Sequence, residues 1–330
     1  MNRFLGPRAK WIAILSMIVS SMAFFKPQLA SAQSVGTTTA DILKVNQGVR
    51  PAGMAGVFTA MGDDAYSVEY NPAGIAKVTA SQLLLSHLDS LADISYEYLT
   101  FATAWGAESA VEAAFTYRHM PPIDNQNGNP PANSQDLLGA LSYARKLGDN
   151  IRIGLSLKYL QSTLAQYTTG GVMGDLGLQL DRLPLGIKAG LAIQNLGPGM
   201  TFNPASSADP LPMFIRLGLG IHQVFEGHRD FNAGLEVFKP SDQDIKMAIG
   251  AEAWLFPDLF AIRGGYKFES LGQATQNVFN NYTLGCSLTR DFDGDDFSVD
   301  IAYAPADFGE TSQDTFFFGL NIKFNQLRIL

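Results

Sequence analysis

The sequence has one cysteine, four histidines and little charge, and each scarcity removes a class of explanation. Cys286 has no partner for an intramolecular disulfide. Within the alternation Tyr282, Leu284, Cys286, Leu288 it reads as a small apolar residue. His87, His119, His222 and His228 are scattered, without the paired spacing of a metalloenzyme helix. No serine sits on a strand–turn–helix elbow, so no hydrolase triad is expected. No catalytic residue, metal or cofactor is expected, and the chain reads as a non-enzyme. Asp, Glu, Lys and Arg make up 16% of the chain, whereas soluble domains carry about 25%. The net charge of −8 is diffuse, and without a basic stripe no nucleic-acid partner is expected. Beyond the first residues there is no apolar run near the roughly 20 that a membrane helix needs, which excludes a helical membrane protein.

Residues 1–32 read as a signal peptide. Arg3, Arg8 and Lys10 form a positive start, Trp11 to Phe25 a short apolar core, and Ala30-Ser31-Ala32 a small-residue cleavage site. No cysteine follows that core, so a lipoprotein anchor is not expected. The chain is expected to be exported.

What the chain has in abundance is alternation. Ile151, Ile153, Leu155, Leu157 and Tyr159 interleave with Arg152, Gly154, Ser156 and Lys158, and Phe316 to Phe324 repeats the pattern. Successive side chains of a strand point to opposite faces, so each such segment is a ribbon with one oily face and one polar or small face. Periodicity and turn residues place strands near 80–89, 93–105, 109–119, 135–147, 150–161, 171–181 and 184–195. Others fall near 212–222, 229–239, 244–255, 258–268, 280–291, 296–305 and 314–324. Most run longer than the ~5–6 residues of a globular strand and match the ~9–11 that cross a tilted bilayer span.

The connections alternate in length. Tight turns are expected at Gly148-Asp149, Arg182-Leu183 and Pro257, and long loops at Met120–Ser134, Leu196–Leu211 and Glu269–Asn280. The connections near Leu91 and Pro240 are short on the side of the long loops, an exception to that rule. An open sheet edge in lipid leaves backbone groups unsatisfied, so spanning strands must close. The expectation is an all-β, about 14-stranded antiparallel transmembrane barrel over 80–324, in the bacterial outer membrane and in contact with its lipid. Residues 325–330 form a short C-terminal extension. Arg118, Lys158, Asp175, Lys188, Arg216, Glu236 and Glu252 fall on the polar face of their strands and are expected to pair in the lumen. Asp291 to Asp296 superficially matches a calcium loop, but Ala302 stands where the twelfth-position glutamate belongs, so an acidic hairpin turn is expected.

Residues 33–79 do not alternate. Gly53, Ala55, Gly56, Ala60 and Gly62 permit close packing against a wall, and Asp63 or Asp64 is placed to cap a short helix running to Tyr70. Asn71-Pro72 then stops it, because the residue before proline avoids helical geometry. Arg50 is a charge for a polar lumen. This segment reads as a compact hatch inside the barrel.

The block GMAGVFTAMGDDAYSVEYNPAG resembles the N-terminal signature of FadL-like outer-membrane proteins, particularly the PorV/PorQ family. GLAIQNLGPGMTF, LPMFIRLGLGI and RGGYKF, together with the strand ending at Phe324, extend the resemblance over nearly the whole exported chain. The PorV/PorQ resemblance implies a part in type IX secretion and cell-surface attachment, with secretion machinery and cargo C-terminal domains as partners. FadL-like transporters imply instead the passage of a hydrophobic ligand such as a fatty acid or aromatic hydrocarbon. Either resemblance puts Asn71, Pro72 and Gly74 at the constriction.

Overall fold

In the computed structural model, residues 37–45, 47–90, 93–122, 132–202, 207–225, 229–256, 258–268, 281–304, 306–307, 312–313 and 315–325 are described. The expected leader 1–32, the whole expected loop 269–280, the expected turn residue Pro257 and the last five residues lie outside them.

Alternation becomes a closed wall of fourteen antiparallel strands. They are β1 (Ser81–Asp89), β2 (Ser95–Trp105), β3 (Ser109–His119), β4 (Ser134–Leu147), β5 (Ile151–Leu164), β6 (Tyr167–Leu180) and β7 (Ile187–Leu196). Then come β8 (Phe214–Phe225), β9 (Arg229–Pro240), β10 (Lys246–Phe256), β11 (Phe260–Phe268), β12 (Tyr282–Phe292) and β13 (Asp295–Tyr303). A two-residue hairpin, β14 (Ala306–Asp307) and β15 (Ser312–Gln313), stands apart in the connection before β16 (Phe316–Phe324). Each wall strand pairs with its sequence neighbours, and β16 pairs with β1 through Ser81↔Phe324 to Asp89↔Phe316, which closes the ring.

The two faces sort as the pattern requires. On β5 the outward Ile153, Leu155 and Leu157 are 41%, 53% and 60% exposed, whereas the inward Ser156 and Lys158 are buried. One rim carries tight turns, and we call it the turn rim. There Gly148 (φ +67°) and Asp293-Gly294 (φ +55° and +90°) adopt the left-handed backbone that a two- or three-residue hairpin needs. The acidic stretch Asp291–Asp296 is thus a hairpin turn, as expected. The opposite, loop rim carries the connections after β3 and β7. The β5–β6 connection departs from expectation: both strands run on to a tight turn at Ala165-Gln166, carried by the polar pairs Thr163↔Thr168 and Ser162↔Thr169. Alternating hydrophobicity had stopped there, but cross-strand hydrogen bonding had not. Aromatic side chains gather at both rims: Tyr282, Tyr303 and Phe316 touch at the loop rim with centroids 5.7 and 5.4 Å apart, and Phe292 and Phe297 at the turn rim.

Residues 37–79 lie within the ring. The segment forms 3-10 turns at Asp41–Lys44, Ala65–Glu69 and Pro72–Lys77, and one turn of α-helix, α1, at Val49–Ala52. The helix expected to reach Tyr70 is the 3-10 turn Ala65–Glu69, with Asp64 accepting from Tyr66 N at its start. Met54, Phe58, Tyr66, Tyr70 and Ile75 are among its buried side chains, packed with Leu84 and Tyr98 of the wall. Inward glycines make room: a Cβ on Gly154 would overlap the backbone of Pro72 and Ala73, and one on Gly250 would overlap that of Met54.

Candidate functional site

The site is the lumen, where segment 37–79 runs from one rim to the other. At the loop rim Thr38 Oγ1 and Lys44 Nζ donate to Asp242 Oδ2 in the β9–β10 turn at 2.6 and 2.8 Å. Thr39 N donates to Pro210 O of the β7–β8 connection at 3.1 Å. At the other end Lys77 Nζ stands 3.4 Å from Asp181, beside Arg152, which also contacts Asp181. Hydrogen bonds from Lys44 and Thr38 hold the Asp242 carboxyl below its ordinary range, although its burial works against them.

Midway, Arg50 gathers three carboxylates. Nε and Nη2 donate to the two oxygens of Glu252 at 2.9 Å each, and Nη1 reaches Asp63 at 2.5 Å and Asp64 at 2.7 Å. Glu252 also accepts from Arg263 at 2.7 Å, and Arg263 extends the chain of charges to Asp300 at 3.3 Å. Burial pushes the Asp64 carboxyl up to about 6, aided by the neighbouring Asp63 charge and opposed by Arg50. Burial likewise pulls the Lys77 ammonium down to about 7. Both belong to the lumenal segment, not to a spanning strand.

The second anchor is Glu236, which accepts from Phe58 N, Thr59 N, Thr59 Oγ1 and Arg216 Nη1 at 2.8–3.0 Å. The Arg216 guanidinium lies among the rings of Tyr70, Phe214 and Phe238 at 5.0–5.3 Å, a cation–π setting in which desolvation strengthens the attraction. Asn71 is fully buried: its Oδ1 accepts from Ala73 N, and Nδ2 donates to Thr59 O and to Leu178 O of β6 at 2.8 and 2.9 Å. It therefore starts the turn Pro72–Lys77 as well as ending the one before, and it stitches the segment to the wall. Gly74 lets Ser67 and Gly62 O approach so closely that a Cβ would meet them at 2.6–2.9 Å.

Of the polar-face charges, Arg216 pairs with Glu236 and Lys158 with Asp175 at 2.8 Å. Arg118 pairs with Asp136 at 2.6 Å, and Glu252 with Arg50 and Arg263. Lys188, half-buried on β7, enters none of these pairs. Arg263, Asp300, Asp136, Asp181 and Gln179 belong to the same inward set and were missed. The signal was the same alternation applied to their own strands: Gln179 donates to Thr59 O and Gly62 O at 3.1 and 3.2 Å.

The loop-rim half of the lumen combines the buried pairs Arg118–Asp136 and Lys44–Asp242 with an apolar cluster. Leu88, Tyr96, Leu138, Leu160, Met173 and Phe317 point inward there and pack with Ile42 of the segment and with Met200 and Leu211 of the β7–β8 connection. Beneath them a polar cavity of about 20 Å³, lined by Glu69, Lys158, Gln194, Asn195 and Arg216, has room for one water. It adjoins a wall irregularity: β6–β7 pairing slips between Gly174 and Leu176, and Asn195 turns (φ +60°) to donate its N–H to Asp175 at 2.8 Å.

With this geometry in hand, comparisons with known proteins fix the fold. Residues 16–124 match the Uncharacterised protein family UPF0164, a region that takes in the lumenal block and β1–β3. A "UPF0164 protein" of Treponema pallidum (strain Nichols) is 29% identical over 143 residues, 40% of this chain. The chain spans 35% of that relative's length. Among solved structures, the CymD monoaromatic hydrocarbon channel superposes with a TM-score of 0.60 at 13% identity, over 85% of this chain and 97% of that one. The Ralstonia pickettii toluene transporter TbuX gives 0.55 at 13%, over 84% and 98%, and a Pseudomonas aeruginosa FadL homologue gives 0.54 at 10%, over 84% and 98%. The chain shares the fold of these FadL-like barrels.

Proposed function

We propose that the protein is a non-enzymatic outer-membrane barrel that passes small hydrophobic compounds, with segment 37–79 as the removable obstacle. The carrying observation is the apolar cluster in the loop-rim half of the lumen, from Leu88 and Leu138 to Met173 and Phe317. A water-filled pore has a polar interior, whereas an apolar chamber recovers the cost of taking a hydrocarbon out of water. The structural neighbours described as toluene and monoaromatic hydrocarbon transporters support the same reading. In this reading the loop rim faces outward, Ile42 occupies the chamber in the closed state, and Arg50, Asp63, Asp64, Asn71, Pro72 and Gly74 hold the hatch. The test is uptake of a labelled monoaromatic compound by vesicles containing the barrel. Faster uptake than by empty vesicles, cut by Leu138→Asp at equal insertion, supports passage; no difference from empty vesicles overturns it.

A second reading, secretion and surface attachment as implied by the PorV/PorQ resemblance, draws support from the continuous β1–β16 seam and the filled lumen, which suit a docking platform. Co-purification of cargo C-terminal domains with the barrel tests it, and recovery of the barrel without them counts against it.

A further inference from the structure

The chain inside the barrel is held at two levels by two different sets of groups. Between Met54 and Ile75 the anchors lie deep in the lumen. Glu236 holds the amides of Phe58 and Thr59, Gln82 holds that of Ala65 at 3.0 Å, and Asn71 is tied to β6. Residues 38–45 share none of these anchors. They are fastened at the loop rim, where Thr38 and Lys44 donate to Asp242 and Thr39 N donates to Pro210 O.

This short stretch has two faces. Ala40 and Ile42 are buried, and Leu43 and Val45 pack beside them on the apolar cluster of Leu88, Leu138, Met173 and Phe317. Asp41 points the other way, with 83% of its side chain exposed. A few apolar side chains of the chain itself thus fill the space that a small hydrocarbon would fill. The stretch keeps its shape through these contacts and not by its own preference. Ala40 is held in the left-handed backbone (φ +61°), which is unfavourable for a residue with a Cβ. The turn Asp41–Lys44 has no side-chain cap at its start, and four residues are too few to form a helix unaided. Gly48 (φ +90°) then separates it from α1 and from Arg50.

We propose that residues 38–45 are a lid over the apolar cluster, latched by Asp242, which lifts separately from the rest of the segment. Lifting admits a small hydrophobic molecule to the space left by Ile42 and Leu43. The chamber is then loaded from the loop rim while Arg50, Glu236 and Asn71 still close the lumen below, so passage takes two steps. The inference rests on the proposed function for its ligand and not for the movement of the lid. Only the open fraction binds, so a weaker latch raises apparent affinity by the factor by which it raises that fraction.

The test is hydrogen exchange of the full barrel in nanodiscs, read at residues 39–43 and 58–65 with and without toluene. The amides of Thr39 and Leu43, bonded to Pro210 O and Ala40 O, report the lid. Those of Phe58, Thr59 and Ala65 report the deeper anchors. Asp242→Asn is expected to speed lid exchange about tenfold, the factor for one charge-assisted hydrogen bond, and to leave 58–65 unchanged. Thr38→Val is expected to act in the same direction with a smaller effect. Toluene is expected to speed lid exchange in the wild type while 58–65 stays protected, and to do so in Asp242→Asn at about one-tenth of the concentration. Heat-modifiable migration confirms that each variant is a folded barrel. Lid and 58–65 opening together in Asp242→Asn, or lid exchange that toluene slows or leaves unchanged, overturns the proposal. Uptake by vesicles is read separately. Uptake with the two stretches opening as one overturns the lid and leaves passage standing, whereas a lid that toluene lifts without uptake supports the lid and overturns passage.

Discussion

Arg50 and Glu252, 202 residues apart in sequence, form a two-pronged ion pair in the lumen, with both N···O distances at 2.9 Å. One partner belongs to the non-alternating segment and the other to strand β10, so this pair joins the obstacle to the wall.

Removing one side of such a pair leaves a buried charge without compensation. Arg50→Met is expected to lower the stability of the seated segment by about 3–5 kcal/mol. Arg50→Lys is expected to recover only part of it, because an ammonium cannot present two parallel N–H groups to Glu252 while also reaching Asp63 and Asp64. Limited proteolysis of the 37–79 region in detergent, scored against barrel migration on gels, measures both.

Asp64 sets a pH dependence. Its folded pKa is raised to about 6 from 3.8, chiefly by burial, so the folded state holds the proton more tightly than the unfolded one. The associated stability is fully present below 3.8 and is lost as pH rises through 6. The thermal midpoint of the detergent-solubilised barrel is expected to fall between about pH 4 and 7, and Asp64→Asn is expected to flatten that slope. An unchanged slope in the variant would show that Asp64 does not carry it.

Adjacent positions on β5 separate the two faces. Leu155 is 53% exposed and outward, and Leu155→Arg is expected to cost about 2–4 kcal/mol in a bilayer. Gly154 faces Pro72 and Ala73, and Gly154→Ala is expected to cost about 1–3 kcal/mol through overpacking, in detergent and bilayer alike. Unfolding in vesicles and in micelles distinguishes the two: only the first depends on lipid.

The position of the segment's start is also testable. Thr37 is exposed beside residues anchored at the loop rim, and Asp149 is exposed on a tight turn at the other rim. In intact cells, Thr37→Cys in a Cys286→Ala background is expected to react with a membrane-impermeant maleimide. Asp149→Cys is expected to react only after the outer membrane is opened. The reverse pattern would invert the orientation.

The wall was legible in the sequence because a period of two survives any tertiary arrangement: Ile153, Leu155 and Leu157 face out whatever their neighbours are. The ends of β5 and β6 were not, since Thr163 and Thr168 pair by hydrogen bonds that carry no hydrophobic signature. In the lumen, residue types were legible but partners were not. Glu236 is recognisable as an inward carboxylate on β9, yet that it accepts the N–H groups of Phe58 and Thr59 depends on a fold bringing together residues 178 and 177 positions apart. Asn71 shows the same limit: a helix stop by sequence, it is by structure also a tether to β6.

The N-terminal segment precedes β1 in the chain, and β1 is half of the seam with β16. The ring therefore closes only where the first strand meets the last, around a cord that the chain made before any of its wall. Glu236, Glu252 and Gln179 spend their hydrogen bonds on that cord. A barrel rolled up without it would leave Glu236 with Arg216 alone and Glu252 with Arg263 and Asn232, each short of the partners the cord supplies. The molecule is closer to a sheet wound on a spindle than to a pipe fitted with a cork, and the spindle decides which inward residues the sheet is able to carry.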